Sequence, residues 1–357
     1  MSNSIFKYHR DFILESGSVL PGFDLAYQTY GRLSHSGDNV VWVFHAFTGN
    51  ANPSEWWDGL VGEGKFFNPG KYFIICVNMP GSCYGSSGPL SLNPNTAQPW
   101  YHDFPIITTR DMARMFALLQ QNLGIRKIHV GIGGSMGGMV LLEWSIEQPE
   151  LFENIILIAT NAVQSAWGIA FNETQRMAIE SDGTWRLKNE KAGLQGMATA
   201  RAIALLSYRN YHPYKISQGE TDNQKLNCYR GSSYQQYQGL KLTRRFNAFS
   251  YHALTKSMDA HHVGRGRSSV AGALRGITAK TLVVGIASDL LFSVEEQKFL
   301  AGNIPDAQFA CIDSTYGHDG FLIEYQQLEK IIRAFLFSPR RRKDANIAQP
   351  FEYDLAS

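Results

Sequence analysis

The sequence predicts an α/β fold, in which a mostly parallel sheet has helices on both faces and carries a helical lid insertion. Two observations support this prediction. Short apolar runs rich in β-branched residues alternate with segments of helical periodicity, as in strands joined by crossover helices. The alternation is interrupted once, between residues 161 and 275, where the sequence pattern is helical throughout.

The elements follow one another in a simple order. Residues 11–32 predict two strands joined around Pro21-Gly22. Six further strands are predicted at residues 40–44, 72–78, 127–132, 154–159, 280–286 and 308–312. Helices are predicted at residues 110–123 and 321–337, and within the insertion at 170–180 and 194–208. The predicted domains are a core at 1–160 and 276–340, a helical lid at 161–275 and a C-terminal tail at 341–357.

A glycine-rich turn follows the predicted strand at residues 127–132. Its sequence, Gly133-Gly-Ser135-Met-Gly137, matches G-x-S-x-G. In this motif a serine lies on a strained turn between a strand and a helix, and the residues two positions before and after it have no room for a Cβ. A dinucleotide-binding G-x-G-x-x-G is not formed, because Met136 occupies the third glycine position. The turn therefore predicts a nucleophilic serine.

A nucleophilic serine needs a base that removes its proton and an acid that orients the base. In α/β-hydrolases these residues follow in the order Ser, Asp, His, each on a loop after a strand. Asp289 follows the predicted strand 280–286, and His318 follows the predicted strand 308–312. The sequence thus predicts an α/β-hydrolase fold with Ser135, Asp289 and His318 as the catalytic triad, and Asp313 as the alternative acid.

Other histidines have structural interpretations. His261 and His262 lie in the insertion without the further ligands that a metal site requires. His45 ends a predicted strand, and we expect it to shape the loop that follows. That loop supplies one backbone N–H of the oxyanion hole in this fold, and the residue after the nucleophile supplies the other. Phe47 and Met136 are therefore the predicted oxyanion donors.

Composition and charge exclude several functions. The formal net charge is +2. The basic run Arg340-Arg-Arg-Lys343 is interpreted as a solvated tail, so no nucleic-acid partner is expected. No segment approaches the roughly 18 apolar residues of a membrane span, and the N-terminus lacks a signal-peptide core, so we expect a cytoplasmic protein without a membrane partner. The four cysteines form no C-x-x-C pair, and we expect neither disulfides nor a metal site.

Several longer motifs carry a family resemblance. They are His45-Ala-Phe-Thr-Gly, Trp56-Trp-Asp-Gly-Leu-Val-Gly, Asn78-Met-Pro-Gly-Ser-Cys-Tyr-Gly-Ser-Ser-Gly-Pro, Asp103-Phe-Pro, Thr109-Arg-Asp-Met, Gly133-Gly-Ser-Met-Gly-Gly-Met and Tyr316-Gly-His-Asp-Gly-Phe. From about residue 10 to residue 337 the chain resembles the homoserine O-acetyltransferases of methionine biosynthesis, a branch of the α/β-hydrolase superfamily. Phe47 stands where leucine is usual, Asn50 where aspartate is frequent, and the insertion is short.

The resemblance implies that Ser135 accepts an acetyl group from acetyl-CoA and passes it to the side-chain hydroxyl of L-homoserine, with no resident cofactor. It also implies that Arg201 binds the carboxylate of homoserine and Asp319 its ammonium, for which a guanidinium fork and a carboxylate are suited. Arg209 and Arg244 are alternative carboxylate anchors. A homodimer joined through the tyrosine-rich and leucine-rich helices of the insertion is likewise implied.

Other activities stay open from the sequence. Succinyl transfer would need a cation for the second carboxylate, and the loops 45–49 and 81–89 contain no lysine or arginine, which favours acetyl. Serine lacks only one methylene of homoserine, which is worth about 1–3 kcal/mol of discrimination. An esterase would use the same triad on an apolar ester, which a charged substrate clamp disfavours. A non-catalytic binding protein would be expected to lack a triad member.

Overall fold

The computed structural model describes residues 2–339, so the basic run at 340–343 and the tail predicted at 341–357 lie outside the described residues. The strands are β1 (Ser2–Ile13), β2 (Val19–Tyr30), β3 (Val40–Phe44), β4 (Phe73–Val77), β5 (Leu92–Asn93), β6 (Gln98–Pro99), β7 (Ile128–Gly134), β8 (Phe152–Ile158), β9 (Lys280–Ile286) and β10 (Ala307–Ile312). Eight of them form one sheet in the order β1-β2-β4-β3-β7-β8-β9-β10, and β5 pairs with β6. From β4 to β10 this sheet is parallel, which confirms the predicted fold class.

The helices cover the sheet and fill the predicted insertion. They are α1 (Pro53–Trp56), α2 (Thr109–Asn122), α3 (Met136–Glu147), α4 (Ala166–Glu180), α5 (Leu194–Tyr208), α6 (Tyr211–Gln218), α7 (Arg230–Thr243), α8 (Ala248–Asp259), α9 (Val270–Arg275), α10 (Val294–Asn303), α11 (Gly320–Ile323) and α12 (Tyr325–Phe337). Helices α4 to α9 fall between β8 and β9. Within residues 2–339, every helix is too short or too polar to cross a membrane.

The N-terminal hairpin differs from its prediction. The turn lies between Ile13 and Val19, and Pro21-Gly22 is part of β2. The pairing of β1 with β2 shifts register there, and a Cβ on Gly22, which has φ +86°, would lie 2.6 Å from the carbonyl oxygen of Tyr8. The prediction of a turn at Pro21-Gly22 was wrong, because proline and glycine also occur at β-bulges inside a hairpin.

The core is divided by the sheet into two layers. Strand β3 shows this directly, because Trp42 and Phe44 pack on the α2 and α3 side while Val41 and Val43 face the side of α12. The ring of Trp42 meets that of Trp144 edge-on, with 4.9 Å between centroids. The buried central strands thus provide a rigid base for the loops that follow them.

Candidate active site

The nucleophile turn between β7 and α3 has the strained backbone that the motif predicts. Ser135 is only 5% exposed and has φ 55° and ψ −127°, a region that side-chain-bearing residues rarely adopt. A Cβ on Gly133 would lie 2.6 Å from the carbonyl carbon of Gly137, and a Cβ on Gly137 would collide with the carbonyl of Phe44. Both glycines are therefore required by close backbone packing.

The backbone of Ser135 is bonded to the segment that follows β8. Its N–H donates to the carbonyl oxygen of Ile158 at 2.9 Å, and its carbonyl oxygen accepts a hydrogen bond from Oγ1 of Thr160 at 2.9 Å. These two bonds keep the strained turn in one conformation.

The predicted base and acid form a buried pair on the loops that follow β10 and β9. Nδ1 of His318 lies 2.7 Å from Oδ2 of Asp289. The other carboxylate oxygen accepts the backbone N–H groups of Leu291 at 2.8 Å and Phe292 at 3.0 Å. With Nδ1 donating to Asp289, Nε2 of His318 is the nitrogen that can accept a proton. His318 and Ser135 line the same cavity.

Charges around His318 set its protonation. Burial alone would lower its pKa, but the charge of Asp289 and the hydrogen bond to it outweigh burial, so the pKa of His318 is raised above its ordinary value. The ring of Phe292 stacks on the imidazole with 5.0 Å between centroids. Asp313, the alternative acid, is exposed and bonds Gln327 through its backbone.

The loop after β3 and the start of α3, which contain the predicted oxyanion donors, both lie beside Ser135. Met136 is the first residue of α3, where a backbone N–H has no intrahelical acceptor, and Phe47 lines the cavity beside Ser135. His45 shapes this loop. Its Nδ1 bonds the carbonyl oxygen of Ala46 at 2.8 Å, and its Nε2 accepts the N–H of Met79 at 2.9 Å. Burial lowers the pKa of His45 to about 4, so the ring stays neutral.

The cavity over Ser135 has a volume of about 380 Å³ and is lined by charges of both signs. Arg201 and Asp319, for which the resemblance implies substrate binding, both line it. The guanidinium of Arg201 lies over the ring of Tyr208, 5.3 Å from its centroid. Arg209 instead donates from Nε to Oδ2 of Asp319 at 3.0 Å.

A further arginine at the cavity was missed by the sequence reasoning. Arg245, between α7 and α8, donates from Nη1 to the carbonyl oxygen of Thr48 at 2.7 Å and also bonds the hydroxyl of Tyr84. The loops 45–49 and 81–89 contain no lysine or arginine, as the sequence states, but their composition does not show which cations lie beside them. The lid places the cationic side chain of Arg245 beside them, and no local sequence pattern predicts that contact.

A second, much smaller void adjoins Ser135 on the side of the lid. Its volume is about 20 Å³, which is room for about one water-sized group. Besides Ser135 it is lined by Phe47, Gln164, Asn172, Gln175, Ser207, Tyr208, Met258, Leu291 and Phe292. None of these side chains is cationic. No cluster of three or more metal-binding side chains occurs in residues 2–339.

Comparisons with known proteins agree on one family. Residues 39–325 match the family model of the alpha/beta hydrolase fold. A homoserine O-acetyltransferase of Cyclobacterium marinum is 51% identical over 94% of this chain and 95% of its own, and one of Trichormus variabilis is 43% identical over 91% of each. A crystal structure of homoserine O-acetyltransferase from Bacillus anthracis superposes with a TM-score of 0.89 at 24% identity, covering 94% of this chain and 98% of that one. Esterase E22 shares the fold at a TM-score of 0.84 and 21% identity, covering 94% and 99%.

Proposed function

The chain belongs to the homoserine O-acetyltransferases of the α/β-hydrolase superfamily, and on that premise we propose that it acetylates L-homoserine with acetyl-CoA through an acyl-serine intermediate. One observation carries the proposal. A single cavity contains Ser135, the hydrogen-bonded base His318 and charges of both signs, among them Arg201 and Asp319, that suit the two ends of an amino acid.

In the first half-reaction Oγ of Ser135 attacks the thioester carbonyl of acetyl-CoA, while Nε2 of His318 takes the hydroxyl proton. The negative charge on the carbonyl oxygen is stabilised by the backbone N–H groups of Phe47 and Met136. The carbon–sulfur bond then breaks, the coenzyme A thiol leaves with the proton of His318, and an acetyl ester remains on Ser135.

In the second half-reaction the side-chain hydroxyl of homoserine attacks this ester, and His318 again takes the proton. The ester bond to Ser135 breaks, Oγ recovers its proton from His318, and O-acetyl-L-homoserine leaves. Arg201 would bind the carboxylate of homoserine and Asp319 its ammonium. Arg209 bonds Asp319 but does not line the cavity, so it is a poorer candidate for the substrate anchor than Arg201.

The small void beside Ser135 favours acetyl over succinyl as the acyl group. With room for about one water-sized group, this void suits the methyl of acetyl better than the longer, charged chain of succinyl. We expect acetyl-CoA with homoserine to be the fastest pair when acetyl-CoA and succinyl-CoA are each crossed with homoserine and serine in steady-state assays. A faster rate with succinyl-CoA would assign the acyl group to the larger cavity, beside Arg245, and contradict this assignment.

Arg201→Leu is expected to separate the two half-reactions. The variant should still be acetylated by acetyl-CoA, because that step needs only the triad and the oxyanion donors. Transfer to homoserine should weaken by about 2–5 kcal/mol, the usual loss when one side of a buried charge pair is truncated. The measurement is to load Ser135 with radiolabelled acetyl and follow its discharge to homoserine or to water alone.

Arg244→Leu is the matched control, because Arg244 is exposed and does not line the cavity. It should discharge to homoserine at the parent rate. If Arg201→Leu also transfers acetyl to homoserine at the parent rate, Arg201 does not bind the carboxylate of homoserine. If the parent loses its acetyl group to water as fast as to homoserine, an esterase is favoured.

We also propose that the protein is a cytoplasmic homodimer joined through the lid. Large apolar side chains are exposed along α5 to α7, including Leu206 at 55%, Tyr211 at 77%, Ile216 at 72% and Leu226 at 90%. Such a group of exposed apolar residues is typical of an interface. Light scattering at micromolar concentration should give twice the mass of one chain, and Ile216→Asp should lower it. The mass of a single chain would rule the dimer out.

A further inference from the structure

The first turn of α10 contains a partly buried carboxylate, that of Glu296, which the proposed reaction does not use. Glu296 is the third residue of α10 and forms a capping box with Ser293, whose backbone N–H donates to Oε2 of Glu296 at 3.1 Å. Its other oxygen, Oε1, accepts a hydrogen bond from Nδ2 of Asn161 at 3.1 Å. Asn161 belongs to the segment after β8, so this carboxylate joins two distant parts of the chain.

The next residue of the same turn makes a parallel connection. Gln297 is fully buried and donates from Nε2 to the backbone carbonyl of Thr160 at 2.9 Å. Thr160 in turn donates from Oγ1 to the carbonyl oxygen of Ser135. The start of α10 is thus two hydrogen bonds away from the nucleophile.

On its other side, the same turn ends the loop that carries the acid. Ser293 directly follows Leu291 and Phe292, whose N–H groups bind Asp289. The ring of Phe292 stacks on His318. The first turn of α10 therefore contacts both the loop of the acid and the segment that anchors the nucleophile.

We propose that Glu296 and Gln297 are positioning residues that fix the Asp289–His318 pair relative to Ser135. The inference rests on the proposed roles of these three residues. They lie on loops after different strands, so their mutual distance depends on contacts between the loops, and a displacement of about 1 Å can lower a rate 10²-fold.

Helix capping alone does not account for the placement of Glu296. A cap requires only the bond to Ser293, which an exposed glutamate could make without leaving water. Here burial, together with the nearby charges of Asp289 and Glu295, raises the pKa of Glu296 to about 7 although Asn161 and Ser293 donate to it. Only in this partly buried position can Glu296 also accept the hydrogen bond from Asn161, which joins α10 to the segment after β8.

The charges around Glu296 define a second effect. Asp289 faces it from the acid loop and Glu295 from its own helix, while the segment after β8 presents the neutral Asn161. Where Glu296 is ionised, its negative charge adds to that of Asp289 in raising the pKa of His318. Removing only this charge should therefore lower the pKa of His318.

Glu296→Ala tests the positioning role. Acetylation of Ser135 by acetyl-CoA, and its sulfonylation by phenylmethylsulfonyl fluoride, should both slow by about 10- to 100-fold, with the KM for homoserine unchanged. Glu295→Ala is the matched control, because Glu295 is the exposed neighbour in the same turn, and it should react like the parent. If Glu296→Ala is unfolded by circular dichroism, Gln297→Met, which removes the bond to Thr160 at similar volume, is expected to show the same loss.

Glu296→Gln separates geometry from charge. Asn161 can rotate so that its Oδ1, which has no hydrogen-bond partner within residues 2–339, accepts from the new amide. The rate at high pH should then stay near that of the parent, and the acid limb of kcat/KM should move to lower pH. Sulfonylation at the parent rate and an unchanged pH profile in folded Glu296→Ala and Gln297→Met would overturn the proposal. A parent that is sulfonylated normally but does not acetylate homoserine would overturn the proposed function alone.

Discussion

Ser135→Ala is expected to lower the rate of acetyl transfer by on the order of 10⁶. The hydroxyl of Ser135 is the group that would carry the acetyl, and without it neither half-reaction has a covalent intermediate. Steady-state rates with acetyl-CoA and homoserine give the size of the loss. Intact mass after mixing with acetyl-CoA alone should show one acetyl adduct on the parent protein and none on the variant.

Ser145→Ala provides the control for this result. Ser145 is a buried serine of α3 whose hydroxyl bonds the carbonyl oxygen of Leu141 and does not line the cavity. It should retain both the rate and the adduct. An unacetylated parent whose kinetics require acetyl-CoA and homoserine to bind together would contradict the acyl-serine.

Asp289→Asn is expected to lower the rate about 10⁴-fold. An amide in place of the carboxylate can hold the imidazole in the wrong tautomer, so that Nε2 carries the proton it should accept. The pH dependence should change as well. Because the base must be neutral, kcat/KM falls as pH drops through the pKa of His318, and that pKa is raised mainly by Asp289. The variant should therefore lose activity at a lower pH than the parent.

The alternative acid supplies the comparison. Asp313→Asn changes an exposed side chain and should alter neither the rate nor the pH profile of kcat/KM. A large loss of activity in Asp313→Asn, together with parent activity in Asp289→Asn, would show that Asp313 and not Asp289 is the acid.

The sheet and the triad geometry were accessible from the sequence because both depend on local patterns. The buried central strands are short apolar runs, and the close packing around Ser135 leaves glycine as the residue at 133 and 137. Asp289 and His318 could be chosen because the order of strands fixes which loops meet. The exceptions among the strands are the two-residue strands β5 and β6, which were not predicted, and β1, of which only the end from residue 11 was predicted.

Contacts between the lid and the core were not accessible. Arg245 reaches the loop of Phe47 because Phe246 and Tyr251 of the lid pack against the ring of Phe47. The void beside Ser135 is bounded by residues of the lid and the acid loop together. The link between α10 and Thr160 likewise joins segments whose sequences show no relation. Such contacts depend on how distant elements pack, which periodicity and short motifs do not encode.

The division of the triad among β7, β9 and β10 has a consequence for the growing chain. Strands β3, β7 and β8 precede the lid, so the turn of Ser135 can form while α4 to α9 are still being synthesised. At that stage His318 is not yet beside the serine, so on the proposed mechanism its hydroxyl has no base. Activity would then begin only when β10 has paired with β9 and His318 lies in the cavity of Ser135. We therefore expect a nascent chain not to become acetylated before its sheet is complete.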